Sequence, residues 1–194
     1  MAGRPKIYDE KTVISKALDV FWKKGYEAAS ADDLMEAMGI GKGSFYLAFK
    51  GGKKELYERS LEQFAETFYK NFLYALFQSD DQILFISNFF IELIDEEESK
   101  QAQGCYLGNA LIQMSSTDPY MRSVAQKLLI RMERIFTDVI RKAQEENRIQ
   151  KSSSPEVMGK YLINLWNGIN VTRRMYPNDN SLKNVVLLNL QMLN

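Results

Sequence analysis

The stretch of residues 30–57 limits the possible folds of this chain more than any other segment. Ser30 is followed closely by a pair of aspartates. This is typical of a helix N-terminus, because the hydroxyl accepts from free backbone amides and the acids suit the positive helix end. Gly39 follows Met38 at the point where a helix would end in a left-handed residue, which glycine adopts without strain. The pattern predicts a short helix that begins after Ser30 and stops near Met38.

A second short helix is predicted directly after this turn, opened by Gly-Lys-Gly-Ser at residues 41–44. Phe45 and Phe49, four residues apart, fall on one helix face and can pack back on the first helix. The residues left on the opposite face are Lys42, Ser44 and Tyr46. This division of residues is the pattern of a helix-turn-helix, whose second helix reads DNA. A helical hairpin with solvated lysines is the alternative, because the same geometry occurs in proteins that bind no nucleic acid.

The placement of charge favours a nucleic-acid partner, although the total charge does not. The chain has 25 basic and 25 acidic side chains. Between Gly39 and Lys54 there is no acid, whereas acids collect elsewhere, notably at residues 95–98. The four lysines of this segment are Lys42, Lys50, Lys53 and Lys54, and Arg4 and Lys6 add charge near the N-terminus. A basic patch on a neutral protein suits salt-dependent binding to phosphates.

The absence of histidine excludes most enzyme classes. Ser-His-Asp and Cys-His arrangements are impossible, and the commonest zinc and copper ligand is missing. The glycines at positions 39, 41 and 43 match neither the dinucleotide fingerprint nor a phosphate loop. We therefore predict no catalytic residues, no metal and no cofactor. A small helical ligand carrier remains as the competing class.

Composition and periodicity predict an all-α fold. The 194 residues are 45% hydrophobic, include only four prolines and show helical spacing almost throughout. We see no signal peptide and no apolar run long enough to span a bilayer, and a single cysteine fits a reducing compartment. A cytoplasmic protein without a membrane partner is expected.

Two further helices frame the predicted helix-turn-helix. The first should run from Glu10 to about Lys24 and end at Gly25. A fourth, long helix should begin near Lys53 and link the N-terminal part to the rest of the chain. Its apolar face is formed by Tyr57, Leu61, Phe64, Phe68 and Phe72. We expect a DNA-binding domain at residues 1–52 and an effector-binding and dimerisation domain at 53–194.

These residues resemble the N-terminal DNA-binding domain of the TetR family of bacterial transcriptional regulators, over about a third of the chain. The matching positions are Gly25, Tyr26, Ser30, Leu34, Ala37, Gly39, Ile40, Lys42, Gly43, Ser44, Phe45, Tyr46, Phe49, Lys53 and Leu56. The resemblance implies an all-helical homodimer that represses promoters at a pseudo-palindromic DNA operator. It also implies release from the operator when a small molecule enters the C-terminal domain.

The resemblance also implies which residues contact DNA. The family positions for phosphate and base contacts are occupied here by Ser30, Lys42, Gly43, Tyr46 and, at the start of the fourth helix, Lys53. Ser44 belongs to the same outer face, and Leu47 could touch a thymine methyl group. Leu47 and Ala48 replace the aromatic or histidine residues of many relatives, and the link from Phe49 to Lys53 is one residue longer.

The segment Gly104-Cys105-Tyr106-Leu107-Gly108-Asn109, followed by a long helix predicted from Pro119 to about Asn147, resembles the C-terminal domain of one TetR subgroup. Near a helix N-terminus the pKa of Cys105 should be lowered, so that its thiolate could sense oxidants or electrophiles. The alternative is a small, buried packing residue.

Aromatic residues and methionines in the central helices suggest an effector pocket, since both line adaptable cavities. The candidate walls around an apolar or aromatic effector are Phe89, Cys105, Tyr106, Met114 and Trp166.

The last two helices suggest an interface between subunits. After Ser152–Pro155, a helix carries a stripe from Met158 to Ile169, and a final helix is apolar almost all the way round. A homodimer formed by the last two helices of each chain would cover these faces. The alternative is that the final helix folds back into its own core.

Overall fold

The computed structural model describes residues 8–151, 153–176, 179 and 181–193, with the side chain of Glu98 left out. The predicted basic residues Arg4 and Lys6, together with Ser152, lie outside the described residues. The described part of the chain contains ten α-helices and a short 3-10 turn at Gln191–Leu193, and it contains no strand. The helices are α1 Glu10–Ala28, α2 Ala31–Met38, α3 Lys42–Ala48, α4 Gly52–Gln78, α5 Gln82–Asp95, α6 Glu98–Gln103, α7 Tyr106–Met114, α8 Pro119–Glu145, α9 Pro155–Met175 and α10 Ser181–Leu190. The prediction of an all-α fold is confirmed.

We call α1 to α3 the head. Asp9 caps α1, and Gly25, with φ 79° and ψ 166°, interrupts its helical backbone at the predicted end before the chain continues helically to Ala28. α1 buries Val13, Ile14, Ala17, Leu18 and Phe21. α1 packs on α2 and on α4, and its buried side chains belong to the same apolar core that continues into α4 to α10.

We call α4 to α10 the body. The 27-residue helix α4 joins the two parts, since it packs on α1 near its start and on α5 and α8 further along. Tyr57 lies 4.8 Å from Phe21 of the head, between ring centroids, whereas Phe72 contacts rings of the body. Within the body, α9 packs along α8, and α7 packs against the other side of α8.

The body core is an aromatic cluster at the centre of these helices. Phe90 and Phe136 are fully buried, and Phe136 lies 6.3 Å from both Phe72 and Trp166, between ring centroids. Large buried rings contribute much of the apolar area that a small helical domain removes from water. The short helix α6 had no signal in the sequence pattern, where the acids at 95–98 suggested only a loop.

The final helix packs into the core of its own chain on one face, and the dimer interface stays a prediction. Leu182, Val186 and Leu190 are buried, because α10 packs on α5 and α9 of the same chain. Val185 and Leu188 on the other side are about half exposed or more, at 51% and 65%. One face of α10 thus belongs to the core of its own chain and the other is uncovered.

Candidate nucleic-acid interface

The inner face of α3 fixes this helix against α2. Phe45 and Phe49 are fully buried, with ring centroids 5.6 Å apart. Leu34 and Met38 are the buried residues of α2. Gly39 has φ 68° and ψ 32°, the left-handed conformation that closes α2 and turns the chain toward α3. The predicted helix, turn and helix are present.

The outer face of α3 consists of exposed residues. Tyr46 is 47% exposed and Leu47 is 77% exposed. Lys42, Ser44 and Tyr46 make no side-chain hydrogen bond or ion pair with the described residues. A Cβ at Gly43 would meet no atom within 4 Å, so the backbone here is open to close approach. This face is free to contact a ligand.

The start of α3 differs from that of α2 in charge and capping. Gly41 stands at the N-cap of α3 without a side-chain hydrogen bond, and the first turn carries no acid. The lysine at position 42 therefore has no negative neighbour in its own turn. An uncompensated positive charge at this position suits contact with a phosphate.

Ser30 closes the start of α2. The Asp33 amide donates to Ser30 Oγ at 3.0 Å, and the Ser30 amide donates to the Asp33 carboxylate at the same distance. The Lys24 ammonium, 2.7 Å from Asp33, and then the bonds from Ser30 lower the pKa of Asp33 to about 2. Ser30 itself is exposed.

The four lysines of the basic segment divide into two pairs. Lys53 turns inward, where its Nζ donates to the carbonyl oxygens of Tyr26 at 2.9 Å and Ala29 at 3.1 Å and lies over the Tyr26 ring. Lys54 forms an ion pair with Asp118, 2.5 Å between Nζ and Oδ2. The phosphate contact that the family resemblance implies for Lys53 stays a prediction, while in this structure its ammonium binds carbonyl oxygens at the end of α1.

Lys42 and Lys50 form the other pair, and both are exposed. Neither makes an ion pair with the described residues. Sequence reasoning counted Lys50 in the basic segment but did not assign it a contact. The sequence feature that could have indicated a phosphate contact by Lys50 is its position just after α3, next to glycines and without a nearby acid.

The five predicted effector-pocket residues are all at least partly buried in the body. Phe89 lies 5.0 Å from Trp166, between ring centroids. Tyr106 points toward the head instead, with its hydroxyl 2.7 Å from Ser60 Oγ and its ring 5.4 Å from that of Trp22. Met114 is 1% exposed. Trp166 therefore contacts two of the other predicted residues, the Phe89 ring and the Cys105 thiol.

Cys105 is buried, which agrees with the interpretation of this cysteine as a packing residue. Its Sγ accepts from the Gly108 amide at 3.3 Å, which places the thiol at the N-terminus of α7. Burial nevertheless raises the pKa of the Cys105 thiol, and this outweighs the opposing effects of the Gly108 amide and Trp166. The prediction of a lowered pKa was wrong, because it took account of the helix end and not of desolvation.

The fold and the exposed basic helix define the class of helix-turn-helix DNA-binding proteins. Two sequence profiles match within the chain: "Bacterial regulatory proteins, tetR family" at residues 13–59, and "Tetracyclin repressor-like, C-terminal domain" at residues 83–187. The chain belongs to the TetR family of bacterial transcriptional regulators. It is a DNA-binding regulator, and the family is one of regulators rather than enzymes.

Curated relatives show the same similarity over most of their length. The chain is 24% identical over 157 residues to the HTH-type transcriptional repressor DhaR of Mycobacterium sp. strain GP1, covering 80% of this chain and 77% of that one. It is 24% identical over 174 residues to the repressor ComR of Escherichia coli K12, covering 89% and 82%.

Solved structures share the fold. The reduced form of E. coli NemR superposes with a TM-score of 0.85 at 16% identity, covering 96% of this chain and 98% of that one. A cysteine mutant of CifR, solved with 26-bp operator DNA, superposes with a TM-score of 0.79 at 22% identity, covering 98% and 100%. Among the described residues of this chain, no helix has the length and apolarity needed to cross a membrane.

Proposed function

We propose that the protein is a homodimeric repressor whose two α3 helices enter successive major grooves of a pseudo-palindromic operator and whose DNA binding a small molecule relieves. The observation that carries this proposal is the outer face of α3, which is exposed, basic and free of internal partners. A two-fold dimer on B-DNA requires its recognition helices to lie about 34 Å apart. Such a repressor acts in the cytoplasm, where its operator is.

Within this proposal, each residue of the interface has a distinct role. Lys42, Lys50 and the Ser30 hydroxyl contact phosphates, which position the protein on the duplex. Ser44 and Tyr46 face base edges, Leu47 touches a thymine methyl group, and Gly43 lets the backbone approach. Lys53 positions the head by holding the last carbonyls of α1, rather than by contacting phosphate.

An exposed stripe on α9 supports dimerisation through α9 and α10. Exposed or partly exposed residues recur at alternating steps of four and three, the repeat of helices that pack side by side. They are Val157, Tyr161, Asn164, Gly168, Val171 and Met175. Met175 is 62% exposed, and a Cβ at Gly168 would meet no atom within 4 Å, which leaves room for a partner helix. The uncovered face of α10 continues this surface.

One buried donor supports an effector site near the predicted pocket. Arg173 Nε is buried and has no hydrogen-bond partner among the described residues. A buried donor without an acceptor costs about 1–3 kcal/mol, so a ligand that offers an acceptor would gain by binding there. We propose an apolar or aromatic effector that carries such an acceptor and separates the packed rings of Phe89 and Trp166.

A footprint on the DNA that flanks the gene, repeated with candidate ligands, tests the function directly. Lys42→Ala and Lys50→Ala should each reduce the slope of log affinity against log salt by about 1.8, because each removes two phosphate contacts from the dimer. Lys127→Ala, a change at an exposed lysine of α8, should leave the slope unchanged. A ligand carrier would give no footprint and no retention on heparin, and either variant behaving like Lys127→Ala would remove that lysine from the interface.

Light scattering tests the dimer. Gly168→Leu places a large side chain where the proposal seats a partner helix, and the variant should be a monomer at micromolar concentration while its helix content is unchanged. Gln126→Leu, an equally large leucine at an exposed position of α8, is the matched control and should remain dimeric. A monomeric native protein would refute the proposed interface.

A further inference from the structure

The corner between α6 and α7 contacts both the head and α9. The carbonyl oxygen of Gln103 accepts a hydrogen bond from Trp22 Nε1 of α1 at 3.2 Å. The same oxygen accepts from Asn109 Nδ2 at 2.8 Å and from Arg174 Nη2 of α9. A single backbone carbonyl therefore joins three elements that are far apart in the sequence.

The conformation of the corner is fixed by Gly104. Its φ of 62° and ψ of −153° lie in a region that is essentially restricted to glycine. A Cβ at this position would overlap the Arg174 guanidinium, which rests directly on the glycine. Arg174 is held there by a second bond, 2.8 Å from Nη2 to Asn109 Oδ1. The corner thus has one arrangement while Arg174 covers it.

Trp22 is the residue of the head that faces the corner. Its indole N–H is shared between the carbonyls of Gln103 and Gly104, each 3.2 Å away. Its ring lies 5.2 Å from Phe64 and 5.4 Å from Tyr106, between centroids. Ring contacts and hydrogen bonds therefore both hold the Trp22 indole in place.

We propose that the Gln103–Gly104 corner is the joint that sets the orientation of the head on the body, with Trp22 as the positioning residue on the head and Arg174 on the body. The inference rests on the proposed DNA binding. α9 also carries the proposed dimer stripe, so the joint connects the dimer helix to the reading helices. A change in α9 that withdraws Arg174 releases Gln103 and with it the indole of Trp22.

Linkage gives the joint a measurable signature. If the corner sets the orientation of the head, DNA that fixes the head must stabilise the corner by the same free energy. The amides of Gly108 and Asn109, which donate to the Cys105 sulfur and carbonyl, report opening of the corner through hydrogen exchange. Loss of one net hydrogen bond corresponds to about a 3- to 10-fold change in an equilibrium constant.

The experiment uses the full chain and a duplex selected from random DNA by the protein itself. Hydrogen exchange by mass spectrometry should show that this duplex slows exchange of the peptide covering residues 104–109 by about 3- to 10-fold. In Trp22→Phe, which keeps a ring and loses the N–H, this protection should disappear and affinity for the duplex should fall. Tyr74→Phe, which likewise keeps a ring and loses one donor at an exposed position of α4, is the control, and protection should persist.

Fluorescence anisotropy with the labelled duplex tests the proposed DNA binding separately from the proposed joint. Absence of binding by the native protein would remove the proposed function. Binding without protection of residues 104–109, or equal protection in Trp22→Phe, would overturn the joint and leave the proposed function intact. Should Trp22→Phe fail to fold, Arg174→Gln removes the same carbonyl contact from the body side, and persistent protection in that variant would count equally against the joint.

Discussion

α2 and α3 are neighbours of almost equal length, and their N-termini have opposite character. α2 has a complete capping box, two acids in its first turn and an ion pair from Lys24 to Asp33. α3 begins at Gly41 without a side-chain cap and without an acid in its first turn. A capped, negative helix start stabilises the fold, whereas an uncapped, positive one forgoes that stabilisation and is suited to a polyanion. α2 thus stabilises the head, and α3 carries the proposed contacts to DNA.

Gly41→Asp would erase this difference and should give the largest effect. The backbone at Gly41 has φ −76°, so an aspartate fits, caps α3 and adds some stability to the head. It also places a negative charge toward phosphates, and like charges across an interface cost several kcal/mol, so operator affinity should fall by at least about 100-fold. Anisotropy and thermal unfolding measure the two effects.

Gly41→Asn is the control for that variant, since it caps the helix without a charge. We expect its operator affinity to stay within a few-fold of the native value. If Gly41→Asp bound the operator as tightly as Gly41→Asn, the start of α3 would not face the DNA.

Lys53→Met tests whether Lys53 stabilises the head or contacts DNA phosphates. The variant removes a charged donor from the carbonyls of Tyr26 and Ala29 and should destabilise the protein by about 1.5–3 kcal/mol, as lost hydrogen bonds to charged groups do. The salt dependence of DNA binding should not change. Denaturant unfolding measures the change in stability, and a salt titration measures the change in DNA binding. A reduced salt slope with unchanged stability would show that Lys53 contacts phosphate.

Ser30→Ala breaks the cap of α2. Loss of such a cap costs about 1 kcal/mol of stability, because the Asp33 amide loses its acceptor. The effect on operator affinity should be smaller than that of Lys42→Ala. Ser30→Thr keeps the hydroxyl and should restore most of the stability in urea unfolding, and equal destabilisation by both variants would argue against the capping role.

Acidification should weaken the start of α2 and not that of α3, which has no acid in its first turn, and this is the smallest of the expected effects. Because the pKa of Asp33 is lowered to about 2 in the folded protein, mainly by Lys24 and then by Ser30, its stabilising contribution is present above the unfolded pKa of about 4. That contribution is lost as the pH falls toward 2. The difference in urea midpoint between the native protein and Asp33→Asn should shrink over this range, and a constant difference would show that Asp33 does not titrate with the fold.

The features that sequence alone predicted are those with local causes. Ser30, Asp33 and Gly39 act within four residues of themselves, so the limits of α2 could be read directly. The inward turn of Lys53 depends on carbonyls 24 to 27 residues away, and local pattern does not encode that contact. For Cys105 the sequence offered both the helix end and a buried packing position, and which of the two sets the pKa depends on the surrounding helices.

The body shows the same limit. The aromatic character of α4, α5 and α9 predicted a cluster around Phe89 and Trp166, but not that Tyr106 would point away from it toward Ser60 and Trp22. The side chain of Tyr106 contacts helices that are distant in the sequence. Which helices these are depends on how the helices pack, and the local sequence pattern does not show this. The fold and the outer face of α3 were therefore predictable, and the division of labour among lysines and aromatics was not.

The length of α4 has a mechanical consequence. Its 27 residues make a rod of about 40 Å that starts beside α3 and runs along the body. A tilt of only about 5° about the far end of such a rod displaces its near end by roughly 3.5 Å. In a two-fold dimer the displacements are opposed, so the separation of the heads changes by up to roughly 7 Å against the 34 Å repeat of the grooves. In the proposed repressor, an effector that causes such a tilt would therefore produce a misfit of about one base-pair step, ~3.4 Å, on each side.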